Sequence, residues 1–107
     1  MSELLELTDA AFEESVLNET RPVLVDFWSP TCVPCRFLAP VLQTLAQTIG
    51  DVAVIAKVDA SSNVQLALKY KIDAVPTLIL FKNGQVVARL AGVQKLQKLQ
   101  ELIEKHL

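Results

Sequence analysis

Phe27-Trp28-Ser29-Pro30-Thr31-Cys32-Val33-Pro34-Cys35-Arg36 carries both cysteines of the 107-residue chain, three positions apart. Residues 23–28 form an apolar run ahead of the thiols, and a helical pattern continues behind them to Ile49. The stretch reads as strand, tight loop and helix, with the thiols at the helix start. Residues i and i+3 at such a start stand about 5–6 Å apart between Cα atoms, within the range a disulfide accepts. The pair can therefore pass between dithiol and disulfide with little movement of the backbone.

Working outward, Pro34 suits the first helical turn, where its missing N–H costs nothing. Phe37, Leu38, Val41, Leu42, Leu45, Ala46 and Ile49 recur at helical spacing, with Gln43, Thr44, Gln47 and Thr48 on the wet side. Pro40 falls inside this helix, and Gly50 offers a left-handed cap at its end. On the other flank, the run 23–28 does not alternate, as expected of a strand covered on both faces. Asp26 is the misfit in it. Further out, residues 4–7 predict a short strand, and Thr8 or Asp9 offers an N-cap to a helix striped by Phe12, Val16 and Leu17. Residues 52–58 predict a second buried strand and 61–70 a shorter helix. Val75-Pro76-Thr77 opens a strand over 78–81, and Asn83-Gly84 predicts a type I′ hairpin returning through 86–90. A last helix follows Gly92, with Leu96, Leu99, Leu102, Ile103 and His106 on one face. The order β-α-β-α-β-α-β-β-α predicts an α/β fold. Its mixed central sheet is parallel in the first half, ends in an antiparallel hairpin and carries helices on both faces.

The chain is long enough to bury a core unaided, and 51% of it is hydrophobic. No apolar run approaches the ~18 residues of a membrane span. Met1-Ser2-Glu3-Leu4-Leu5-Glu6 is acidic where a signal peptide is basic and then apolar, which predicts a cytoplasmic protein. The net charge is −2 and the basic residues are scattered, so neither nucleic acid nor an anionic membrane surface is an expected partner. Without repeats, low-complexity tracts or a linker, residues 1–107 read as a single domain.

In a reducing compartment an isolated Cys-x-x-Cys is catalytic or metal-binding rather than a structural staple. Half a zinc site is the alternative. Zinc takes four ligands, and His106 is the only histidine, so no metal is expected.

Set in register, Val25-Asp26-Phe27-Trp28, Cys32-x-Pro34-Cys35-Arg36, Pro40, Lys57-Val58-Asp59, Val75-Pro76-Thr77, Phe81-Lys82-Asn83-Gly84 and Gly92 make the chain resemble the thioredoxin family along essentially its whole length. The resemblance implies the thioredoxin fold and protein disulfide reduction by dithiol–disulfide exchange. Cys32 would be the nucleophile, its thiolate favoured by the unpaired N–H groups and dipole of the helix N-terminus. Cys35 would resolve the mixed disulfide. Asp26 would sit beneath the pair, help to deprotonate Cys35 and have Lys57 of the neighbouring strand as its partner, a solvated lysine being the alternative. Burial should raise the pKa of such a carboxyl, although spacing alone leaves a merely structural aspartate open.

Spacing alone also favours trans at Pro76, since only about 5–6% of X–Pro bonds are cis in folded proteins. The resemblance implies cis, with the Val75 backbone offered to an extended substrate. Trp28, Thr31, Ala74, Val75, Pro76, Gly92 and Val93 would contact substrate, and Val33 and Pro34 would tune the redox pair. Thr31 and Val33 depart from the tryptophan and glycine usual in the family. The first removes an aromatic contact surface, and the second stiffens the loop and crowds the approach to Cys32. No Gly-x-Gly-x-x-Gly is present, so no bound cofactor is expected. Electrons would come from a separate thioredoxin reductase, NADPH- or ferredoxin-dependent, to a monomer acting on disulfide-containing proteins. A scaffold using the same apolar rim, and an oxidase or isomerase of the same superfamily, are the rival readings.

Overall fold

A computed structural model of the chain describes residues 4–107; Ser2 and Glu3, part of the acidic N-terminal stretch, lie outside them with Met1. Five strands form one sheet in the order β1-β3-β2-β4-β5. They are β1 (Leu4–Leu7), β2 (Val23–Trp28), β3 (Val54–Asp59), β4 (Thr77–Lys82) and β5 (Gln85–Ala91). β3 pairs in parallel with both β1 and β2, whereas β4 is antiparallel to β2 and to β5. The helices are α1 (Val33–Ile49), α2 (Val64–Lys69) and α3 (Leu96–Glu104). The mixed sheet with its antiparallel C-terminal hairpin is the expected one.

The period-2 alternation of strands sorts the core into two layers. Val23, Val25 and Phe27 of β2 join Phe12, Val16, Leu66, Ile79 and Phe81 on one face of the sheet. Leu24, Leu78 and Leu80 join Leu38, Leu42, Leu45, Leu99 and Ile103, from α1 and α3, on the other. Asp26 follows Leu24 in the alternation and so points under α1. It is buried because of where the strand carries it.

Several elements differ from the sequence expectation. The first helix is a single π-helical turn, Glu13–Leu17, closed by the Asn18 N–H donating to the Glu13 carbonyl at 2.9 Å. Asp9 does not cap it. Its carboxylate accepts from the Leu66 N–H at 3.1 Å and so serves the start of α2, while its own N–H donates to Asn63 Oδ1 at 3.0 Å. Val52 belongs to a 3₁₀ turn, Gly50–Val52, so β3 begins two residues later than expected. α2 is shorter than residues 61–70. Phe37, assigned to the apolar stripe of α1, is 67% exposed. It stands ~100° around the helix from Leu38, which faces the sheet.

The hairpin turn has the expected backbone, with positive φ at Asn83 (52°) and Gly84 (76°). Gly84 is also required sterically, because a Cβ there would stand 2.8 Å from the Leu17 carbonyl oxygen.

Candidate active site

Cys32 is the N-cap of α1, in extended backbone conformation, with Pro34 in the first turn. Its Sγ accepts a hydrogen bond from the Cys35 N–H at 3.1 Å. One of the amide donors that a helix start leaves unpaired is thus satisfied by sulfur. Cys32 and Cys35 are joined as a disulfide with Cα atoms 5.3 Å apart. They are 9% and 5% exposed, so the pair is reached through a narrow opening.

A second segment closes over this opening. The Val75–Pro76 peptide is cis, and the Val75 carbonyl oxygen lies 3.6 Å from Cys32 Sγ. Thr77 Oγ1 donates to the Ala74 carbonyl at 2.6 Å, and the Gly92 N–H donates to the Pro76 carbonyl at 2.9 Å. These bonds tie residues 74–77 to the end of β5. Gly92 has φ 82°, a left-handed conformation that favours glycine. Around the sulfurs, Thr31, Val33, Pro34, Ala74 and Val93 are exposed, whereas Trp28, Val75 and Gly92 are half-buried and Pro76 is buried. Phe37, one turn along α1 from Val33, adds an exposed ring beside them.

Beneath the disulfide lies a cavity of about 160 Å³, lined in part by Asp26, Trp28, Cys35, Arg36 and Lys57. Asp26 is 3% exposed, and its Oδ1 has no hydrogen-bond partner; nor has Trp28 Nε1. Burial pushes the Asp26 carboxyl up to about 7, against the opposing pull of the Lys57 charge. Lys57 stands opposite Asp26 in the β2–β3 register. Its ammonium, however, pairs with Glu6 Oε1 at 3.6 Å and lies 4.9 Å from the centre of the Trp28 ring. Sequence reading missed Glu6, because an acid on a short first strand carries no sign of what faces it across the sheet. Among the described residues no His, Cys, Asp and Glu cluster is arranged to hold a metal ion, and no helix is long and apolar enough to cross a membrane.

The family model described as Thioredoxin matches residues 3–105. The chain belongs to the thioredoxin family. It is 42% identical to Thioredoxin 1 of a Nostoc species over 107 residues, covering the whole of both chains. It is 40% identical to the thioredoxin of Haemophilus influenzae, again over the whole of both. A bifunctional thioredoxin reductase/thioredoxin of Mycobacterium leprae is 41% identical over 90 residues, which are 84% of this chain and 20% of that one. In this family Cys32 and Cys35 form the redox pair of a dithiol–disulfide oxidoreductase.

Proposed function

We propose that the chain is a general reductant of protein disulfides, working as one domain over residues 1–107 and as a cytoplasmic monomer. The observation that carries the reading is the Cys32 sulfur capping α1, with the Cys35 amide on one side and the Val75 carbonyl on the other. In the reduced protein the same amide and helix dipole stabilise a Cys32 thiolate. An extended substrate segment lies along Val75, and the thiolate attacks one sulfur of its disulfide. A Cys32–substrate bond forms as the substrate S–S bond breaks, and the second substrate sulfur leaves as a thiolate that takes its proton from solvent.

Cys35 completes the exchange. Asp26, when ionised, takes the proton from the Cys35 thiol across the cavity, whose volume is sufficient for water between them. The Cys35 thiolate then attacks Cys32 Sγ and displaces the remaining substrate sulfur as a thiolate, which is protonated as Asp26 gives up the proton it took from Cys35. Two electrons pass to the substrate, and the Cys32–Cys35 disulfide remains. Lys57 moderates the base. Trp28, Thr31, Ala74, Val75, Pro76, Gly92 and Val93 form the substrate rim, while Val33 and Pro34 set the geometry of the redox loop.

Regeneration falls to a separate thioredoxin reductase, NADPH- or ferredoxin-dependent. The Mycobacterium leprae relative, named for both activities, supports that pairing.

Replacement of each cysteine tests the scheme. Cys32→Ser abolishes reduction of a protein disulfide, and Cys35→Ser accumulates the Cys32 mixed disulfide, visible by mass. Retained turnover in Cys32→Ser would favour a scaffold. A redox titration against glutathione separates reductase from oxidase: about −270 mV, the value usual for thioredoxins, supports the proposal, and about −120 mV contradicts it.

A further inference from the structure

The registers of three adjacent strands place three ionisable residues abreast. Glu6 of β1 stands opposite Lys57 of β3, and Lys57 stands opposite Asp26 of β2. In-register neighbours project from the same face of a sheet, so the three side chains form one row on the side covered by α1. Exposure falls along the row, from 52% for the Glu6 side chain through 33% for Lys57 to 3% for Asp26.

Lys57 thus stands between two carboxyl groups and is drawn to the outer one. Its Nζ is 3.6 Å from Glu6 Oε1 and over the Trp28 ring, while Asp26 Oδ1 has no partner. Leaning inward would strip water from the ammonium, whereas the pair with Glu6 keeps it half-solvated. We propose that Glu6 is a positioning residue for disulfide exchange: it holds Lys57 away from Asp26 and so leaves that buried carboxyl free to accept the proton of Cys35. This rests on the reading of Asp26 as the base for Cys35.

The other groups around the row do not replace this role. α1 brings Cys35 and Arg36 to the shared cavity. On β3, Asp59 projects from the same face as Lys57, but its Oδ1 is engaged by the N–H and hydroxyl of Ser61. β4 sets only the apolar Leu78 opposite Asp26.

Removing the Glu6 charge acts on Asp26 in two ways of the same sign. A negative neighbour disappears, and Lys57 is released toward Asp26. Both favour the Asp26 carboxylate and lower the pH at which it titrates.

The test is an NMR titration of the Asp26 side-chain carboxyl in the full-length oxidised protein, which needs no substrate. Glu6→Gln is expected to move the midpoint down by about half a pH unit, the size of a partly screened charge effect. In a Lys57→Met background the same substitution is expected to produce less than half of that shift. The acid limb of the pH–rate profile for protein-disulfide reduction should move with the midpoint, and Glu6→Asp should restore it in part. An unmoved midpoint in Glu6→Gln, or an equal shift with Lys57 absent, overturns the proposal. Asp26→Asn supplies the separate control. Unchanged exchange in that variant would refute Asp26 as the base, while the titration would still report whether Glu6 controls Lys57.

Discussion

The two faces of the sheet are built for different purposes. Toward α2, Phe12, Phe27, Tyr70 and Phe81 pack with ring centroids 5.3–6.1 Å apart, in tilted and edge-on arrangements. The buried polar residues on that side, Asn63 and Thr77, are both hydrogen-bonded, Asn63 to Asp9 and Asp59 and Thr77 to the Ala74 carbonyl. Toward α1, the same strands carry Leu24, Ile55 and Leu78, but also Asp26, beneath Cys35. Two buried polar atoms there, on Asp26 and Trp28, have no partner. A domain selected only for stability would fill that space with a leucine. One face supplies cohesion, and the other gives up some of it to hold a carboxyl where a thiol needs it.

Substitutions on each face sharpen the contrast. The largest effect is expected at Phe81, where truncation to alanine removes a ring that contacts both Phe12 and Tyr70. Phe81→Ala should cost about 3–5 kcal/mol in denaturant unfolding, and the molecules still folded should keep the wild-type rate of exchange. A comparable stability loss accompanied by an altered pH–rate profile would blur the division between the faces. A smaller contrast lies within α1 itself. Leu38→Ala should cost about 2–5 kcal/mol, whereas Phe37→Ala, one residue earlier and exposed, should change stability by no more than about 0.5 kcal/mol. If Phe37→Ala were as costly as Leu38→Ala, the described orientation of α1 would be wrong.

Much of this division was legible in the residues. The non-alternating, mostly apolar run of β2, the proline in the first turn of α1 and the Asn83-Gly84 turn each have a local physical signature, and each led to the observed element. Asp26 could be recognised as a misfit, and the period of a strand then determines which face it shares. Other features have no local signature. The π-helical turn depends on an i→i+5 bond that no residue pattern announces. Phe37 was misassigned because, in a chain so rich in apolar residues, a ring at the edge of a helical stripe cannot be told from one inside it. The partnership of Lys57 with Glu6 arises from the pairing of β1 with β3, a contact between distant segments. Asp26 was therefore found, and the residue that occupies its expected partner was not.

Burial of an ionisable group on the α1 side sets a clear sign for pH dependence. The folded-state pKa of Asp26 is raised from 3.8 to about 7. Below the unfolded value both states are protonated and the group costs nothing. As pH rises toward 7 the unfolded chain ionises first, and the folded protein loses stability relative to a neutral substitute. The loss reaches about 4 kcal/mol, at 1.36 kcal/mol per unit, and levels off above pH 7.

The most direct measurement is denaturant unfolding of the oxidised wild type and Asp26→Asn in parallel from pH 4 to 9. The account predicts that the variant becomes progressively the more stable as pH rises to 7, and stays so above it. A stability difference that ignores pH, or a wild type more stable than the variant at pH 8, would contradict it.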